Sequence, residues 1–300
     1  MDLYKVNGNK LTSVNRDAFQ KEKEIQALVE KNIDILFNLE FVSTEFTISD
    51  FRLDSLCYDN ETNAFVIIEY KKGSSYSVID QGYSYLSVML NNKSDFILEY
   101  IEKTGKNLKK DTVDWSQSRI IFISPSFNSY QKNSVNFKDV PFELWEIKKF
   151  EKDIISLRQH LASSKESIEK LSGGKNNVIG NVNKEVKVLS EEDTLKSRKV
   201  NKEVRELYFS IKERALDWDD INFKFKRDYI SFYKNKKVIT HLGFRKDRIR
   251  VHINIGWKDS KNPKPSFKLD DPKNMFKIWE NKYKKLYTYD IKDSKDLDYF

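Results

Sequence analysis

The chain has one cysteine and three histidines in 300 residues, and no apolar run approaching the ~20 residues of a membrane span. The lone cysteine, Cys57, excludes an intramolecular disulfide and a thiolate cluster for zinc, and it fits a reducing cytoplasm. His160, His241 and His252 are scattered, so a histidine-based metal site or a serine-histidine triad has too few parts to assemble. The opening stretch, Met1 to Lys10 (MDLYKVNGNK), carries charge and asparagine where a signal peptide needs apolar residues. The expected location is the cytoplasm, and no membrane is expected as a partner.

What is present suits a globular chain. Hydrophobic residues make up 39% and aromatics 13%, enough to fill two cores at this length. Charge is unevenly spread: residues 1–160 hold 21 Lys+Arg against 24 Asp+Glu, whereas residues 161–300 hold 33 against 22. The first part is therefore near neutral, at −3, and the second is +11. An excess of that size on one part of the chain suits a polyanionic partner, although basic excess is also common on plain solvated surfaces.

Periodicity predicts the elements. Residues 16 to 38 place Phe19, Ile25, Leu28, Val29, Ile33, Leu36 and Phe37 at helical spacing. Strands are expected at Glu45 to Ile48, Arg52 to Tyr58 and Phe65 to Lys71, the last two joined through turn residues Asp59 to Asn63. A helix follows at Val78 to Leu90, then a strand at Arg119 to Ser124, a short helix at Tyr130 to Phe137 and a strand at Phe142 to Phe150. The order is αβββαβ with an αβ extension. Apolar density then falls from Ser163 to about Asp193, which predicts a linker over 163–193 between a first domain, 1–162, and a second, 194–300. LSGGKNN in that stretch lacks the spacing of a phosphate loop and a preceding strand. The last part is expected as a small α+β unit: a helix at 196–216, strands at Ile221 to Phe225, Tyr229 to Tyr233, Val238 to Phe244 and Arg248 to Ile255, and a closing helix at Lys273 to Tyr287.

Chemistry concentrates on the Asp59 to Asn63 hairpin. Glu69 and Lys71 stand two apart on a strand, so both leave one face while Tyr70 leaves the other. The preceding Phe65-Val66-Ile67-Ile68 is apolar on both faces, the pattern of a buried central strand. If the hairpin is symmetric about its turn, opposed residues have numbers summing to 123, which sets Asp54 across from Glu69 and Arg52 across from Lys71. Cross-strand carboxylates at about 5 Å repel unless a cation lies between them. Asp54 and Glu69 are thus expected to hold Mg²⁺, with Mn²⁺ able to substitute, and Lys71 to orient a water or neutralise charge during phosphodiester cleavage. Arg52 is placed to hold a phosphate oxygen, and Lys72 is counted beside it. On its own, E-x-K more often marks a solvated pair; its weight comes from the Asp fifteen residues earlier and the apolar run leading in.

R52-L-D54-S-L-C-Y-D followed by F-V-I-I-E69-Y-K71-K resembles the Asp and (D/E)-x-K strand of the PD-(D/E)XK nuclease superfamily. The resemblance covers about residues 16 to 150 and extends to Gln81-Gly-Tyr-Ser-Tyr85, which matches the Q-x-x-x-Y element of RecB-like members. The residue before Asp54 is Leu53, so the proline of the family's name motif is missing. The resemblance implies a restriction-endonuclease-like α/β core with a mixed sheet and a Mg²⁺-dependent nuclease of defence or repair. It also implies catalytic roles for Asp54, Glu69, Lys71, Gln81 and Tyr85. Some relatives add a helix-borne glutamate to the metal shell, and Glu24 in E-I-Q-A-L resembles it, with Glu22, Glu30 and Glu45 as competitors. The last hundred residues resemble a small domain of unknown function that follows such nucleases and is sometimes called a predicted transport protein. Without a spanning segment, transport is not expected.

In that last part Lys224, Lys226, Arg227, Arg245, Lys246, Arg248 and Arg250 alternate with Phe223, Phe225, Tyr229, Phe232, Tyr233 and Phe244. The basic residues are expected to follow a phosphate backbone, and the aromatics to form a small core more readily than a stacking platform. DNA is the expected partner ahead of RNA, with a homodimer or a defence or repair complex also open. The competing reading, from a different class, is a nucleic-acid-binding or complex-forming subunit that uses a nuclease fold as scaffold.

Overall fold

The computed structural model of the chain describes residues 2–73, 77–151, 153–168, 177–234, 237–257, 277–280 and 284–297. It divides into two compact units, Met1–Val188 and Leu189–Phe300.

In the first unit an N-terminal hairpin, β1 (Leu3–Asn7) and β2 (Lys10–Val14), leads to a short β3 (Arg16–Asp17). Helices α1 (Glu22–Glu30) and α2 (Ile33–Phe37) precede the meander β4 (Glu40–Ile48), β5 (Phe51–Asp59) and β6 (Ala64–Tyr70). Then come α3 (Val78–Asn91), α4 (Lys93–Thr104), β7 (Arg119–Ser124), α5 (Ser129–Ser134), β8 (Phe142–Phe150), β9 (Ile154–His160) and α6 (Asn177–Glu185). The seven-stranded sheet runs β3-β8-β7-β6-β5-β4 with β9 paired to β8. It is mixed, because β6 pairs β7, and β7 pairs β8, in parallel, while the other pairs are antiparallel.

Alternation along the central strands sorts side chains to two faces. Leu56, Phe65, Ile67, Phe122 and Leu144 pack with Val78, Tyr83, Leu86 and Met89 of α3. Cys57, Val66, Ile68, Tyr70, Ile121 and Ile123 pack with Ile25 and Val29 of α1 and Ile33 and Phe37 of α2. The β5–β6 hairpin has Ser55 opposite Ile68 and Cys57 opposite Val66, the register that sums to 123.

Several expectations are corrected. The helix read over 16–38 is broken, because Arg16 and Asp17 pair with β8 and Asn32 turns its amide to the Leu28 carbonyl at 2.8 Å, ending the first helix. Asn38 closes the second in the left-handed region, φ 55°. The β1–β2 hairpin, α4 and β9 went unread, although Gly8 at φ 58° and Gly105 at φ 67° mark the ends of the first two. The linker over 163–193 is partly structure of the first unit: α6 lies inside it, Val182 and Val186 join the α3 core, and Tyr83 donates to Asn183 Oδ1 at 3.3 Å. The Gly173-Gly174 segment lies outside the described residues.

The second unit carries α7 (Glu191–Ser197), which opens on a Ser190–Asp193 capping box, and α8 (Lys202–Leu216), capped by Asn201, where one helix was expected. Its six-stranded sheet has the order β10-β11-β12-β13-β15-β14, with β10 (Ile221–Phe225), β11 (Tyr229–Lys234), β12 (Lys237–Arg245), β13 (Arg248–Trp257), β14 (Lys277–Glu280) and β15 (Lys284–Ile291), followed by α9 (Ser294–Leu297). The closing helix expected at Lys273 to Tyr287 is strand where described: β15 finds β13 on one side and β14 on the other, and those ladders override the helical spacing. Among the described residues no helix is long and apolar enough to cross a membrane.

Candidate active site

The hairpin strands end together at one edge of the α3 face. One pair beyond the Ser55–Ile68 rung, the Asp54 side chain reaches β6 and its Oδ2 accepts the Tyr70 backbone N–H at 3.0 Å. Glu69 is only 2% exposed. Its Oε1 accepts from Lys71 Nζ at 2.5 Å and from Gln81 Nε2 at 2.8 Å. Gln81 and Tyr85, one turn apart on α3, are joined at 2.9 Å, and the Tyr85 hydroxyl donates to the Arg52 carbonyl at 3.3 Å. Tyr70 points to the opposite face, where its hydroxyl meets Ser55 Oγ at 3.1 Å. Asp54, Glu69, Lys71, Gln81 and Tyr85 thus form one cluster.

Its electrostatics are those of carboxylates held close in a dry place. Burial pushes the Glu69 carboxyl up to about 7, the Asp54 charge adds to this, and Lys71 and Gln81 oppose it. Asp54 is also raised, first by burial and then by Glu22, against the Tyr70 N–H, Lys71 and Arg52. Glu69 Oε2 is buried without a hydrogen-bond partner. An orphaned carboxylate oxygen beside a second carboxylate is an all-oxygen donor set that fits a small hard cation. Asp54 and Glu69 would hold it, with the rest of its coordination left to water and substrate oxygens. Among the described residues no group of three or more His, Cys, Asp or Glu is gathered for a metal.

Glu24 does not join this pair. Helix α1 packs on the Tyr70 face, and Glu24 turns back to accept the Gln20 N–H at 2.9 Å. Glu22 is the helix carboxylate whose charge is felt at Asp54; it also accepts the Lys72 N–H at 2.7 Å. Glu45 pairs with Lys23, and Glu30 takes Ser55 Oγ at 2.6 Å on the far face. Arg52 is exposed at the rim, and Lys72 directs its ammonium to the Gln20 carbonyl. Gln26 was missed: buried on α1, it donates to the Asp54 carbonyl at 3.0 Å. Its signal was an amide between Ile25 and Val29 on an apolar helix face.

The second unit sorts its basic residues. Arg250 is held by Asp290 at 2.6 and 2.8 Å, and Arg248 pairs with Asp290 and Asp247, both at 3.4 Å. Lys226 is 8% exposed. Arg250 and Arg248 are thus engaged by acids of the fold, and Lys226 is buried. Lys224, Arg227, Arg245 and Lys246 stay exposed, with Lys224 over the Tyr233 ring at 4.8 Å. Phe223, Phe225, Phe232 and Phe244 belong to the core or pack against it.

An uncharacterized protein of Haemophilus influenzae is 39% identical over 283 residues, spanning 94% of this chain and 89% of that protein. The two chains belong to one family. The family described as a domain of unknown function, DUF5655, matches residues 191–294, which is most of the second unit. Three solved structures are distantly similar. A repair endonuclease from Pyrococcus abyssi shares 19% identity over 40% of this chain and 44% of its own, at a TM-score of 0.24. An EndoMS complex with double-stranded DNA shares 15% over 49% and 64%, at 0.25. Pyrococcus furiosus SfsA in complex with Ca²⁺ shares 12% over 51% and 77%, at 0.24. The chain spans less than two thirds of the first two.

Proposed function

We propose that the first unit is a divalent-cation-dependent nuclease that hydrolyses phosphodiester bonds of DNA. The observation that carries this reading is the buried pair Asp54 and Glu69, with one carboxylate oxygen unpartnered and a lysine just past the end of the Glu69 strand. Two neighbouring acids that burial pushes towards their protonated forms, Glu69 further raised by the Asp54 charge, are costly to keep ionised unless a cation offsets them. A bound Mg²⁺ or Mn²⁺ would supply Lewis-acid polarisation of the phosphate and a more acidic water.

The chain's own groups provide the rest. The Tyr70 N–H fixes the Asp54 carboxylate, and Gln81, braced by Tyr85, fixes Glu69 Oε1, so neither acid needs to reorganise when substrate arrives. Lys71 is the ammonium nearest the pair and can meet the charge that develops on a pentavalent phosphate. Arg52 stands at the rim for a flanking phosphate oxygen. Preference for DNA over RNA, and a place in defence or repair, follow from the PD-(D/E)XK resemblance alone. Incubating the purified protein with plasmid, linear duplex, single-stranded DNA and RNA in Mg²⁺, Mn²⁺ or EDTA tests the reading. Cation-dependent breakage of DNA is expected, and no cleavage of any substrate with either metal would overturn it.

A further inference from the structure

The sheet of the first unit carries a second polar site on the face that bears Glu69. Register places Glu69 beside Phe122, Phe122 beside Leu144 and Leu144 beside His160; one step on, Ser124 lies beside Glu146 and Glu146 beside Arg158. Partners across a sheet share a face, as do residues two apart on a strand, so Glu146, Arg158 and His160 stand on the same side as Glu69. From α5, Lys132 reaches Glu146 at 2.8 Å. These four, with Gln159 and Leu161, line a cavity of about 330 Å³. Three strand spacings of about 4.8 Å separate β6 from β9, so the cavity lies roughly 14 Å from the carboxylate pair across the sheet.

Its charge is uncompensated. The single acid, Glu146, is engaged by Lys132 and, at 3.5 Å, by Lys148. Arg158 forms no ion pair among the described residues. Burial, and then the charges of Lys132 and Arg158, hold the His160 imidazole below its ordinary pKa against the pull of Glu146. The donors are a guanidinium fork and an imidazole, with the Lys132 ammonium beside them on Glu146, a set matched to tetrahedral oxyanions. The volume is at the lower end for small-ligand sites, with room for a phosphate together with part of its nucleoside.

We propose that this cavity is a phosphate subsite for the nucleic-acid strand, in which Arg158 and His160 hold a backbone phosphate away from the bond at Asp54 and Glu69, with Lys132 offsetting the charge of Glu146. A distance near 14 Å equals about four nucleotides of rise along one strand, so one strand can engage both places. The assignment to substrate rests on the nucleolytic reading; the phosphate chemistry does not.

The test uses the full chain in EDTA, where binding is read without cleavage. Arg158→Ala breaks no ion pair of the fold and is expected to weaken oligonucleotide binding about tenfold, one charge-assisted contact. It should also flatten the slope of log K against log salt by about 0.7 for a single strand or 0.9 for a duplex. Arg158→Lys should recover the slope but not the full affinity, because the fork is lost. Inorganic phosphate is the second probe: it should shift the His160 ring resonances of the wild type and leave those of Arg158→Ala in place. A folded Arg158→Ala protein with wild-type affinity and slope overturns the proposal. So does a phosphate-induced shift at His160 without any effect of Arg158 on oligonucleotide binding, which would mark a site for free phosphate esters. Oligonucleotide binding through Arg158 by a protein that cleaves nothing would keep the subsite and overturn the nuclease; cleavage with unaltered KM in Arg158→Ala would do the reverse.

Discussion

Glu69→Gln is expected to stabilise the cation-free protein while abolishing its activity. Burial and Asp54 move the Glu69 carboxyl from 4.5 to about 7. Between those values the folded state keeps a proton that the unfolded chain has released, so stability falls as pH rises through the interval and levels off above it. At about 1.4 kcal/mol per pKa unit, the ionised side chain costs on the order of 3 kcal/mol above neutrality. Glutamine has the same shape, and its amide oxygen can take the Lys71 and Gln81 bonds. Its NH2 would sit where Oε2 has no partner, a penalty of about 1–2 kcal/mol. The net gain is about 1–2 kcal/mol, or several degrees of melting temperature for a unit of this size. Thermal melts in EDTA across and above that pH interval measure it, with Mg²⁺ added in a parallel series. Wild type should lose stability with rising pH and recover it with Mg²⁺, whereas the variant, in which only Asp54 of the pair still titrates, should lose less and recover less. A Glu69→Gln protein that is less stable than wild type above pH 7 would refute the reasoning, since Glu69 would then be a satisfied partner of Lys71 and not half of a cation site.

Asp54→Ala and Lys71→Ala should each lower cleavage at least about a hundredfold with the fold retained, checked by nuclease assay beside circular dichroism. Ca²⁺, larger and less strict in geometry, should raise the wild-type melting temperature with little turnover. A fragment ending at residue 188 should fold, whereas one ending near 170 should melt earlier because it lacks Val182 and Val186 of the α3 core; melts of both fragments decide this. If the exposed lysines and arginines of the second unit contact phosphates, the 188 fragment will also show a shallower salt dependence of DNA binding, and an unchanged slope would assign that unit another role. Gly82→Ala should destabilise by about 1–3 kcal/mol, because its Cβ would lie 2.5 Å from the Phe142 ring.

Local spacing determined the hairpin and which side chains share its face. The turn at Asp59 to Asn63 and a period of two set the β5–β6 register, and a period of 3.6 put Gln81 and Tyr85 on one face of α3. These are relations among neighbours, and neighbours constrain each other through backbone geometry. What the sequence left open depends on which surfaces meet. Glu22, Glu24, Glu30 and Glu45 carry the same charge in the sequence, and it is the packing of α1 on the Tyr70 face that makes Glu22 the one felt at Asp54. Lys284 to Ile291 became strand because β13 and β14 were there to pair with it, and α6 became core because Val182 and Val186 found α3. That Asp290, some forty residues on, is folded against Arg248 and Arg250 could not be read from their spacing. A side chain's charge is written in the sequence; whether that charge is spent inside the fold or offered to a partner depends on which distant residue sits beside it, and only the tertiary structure decides that.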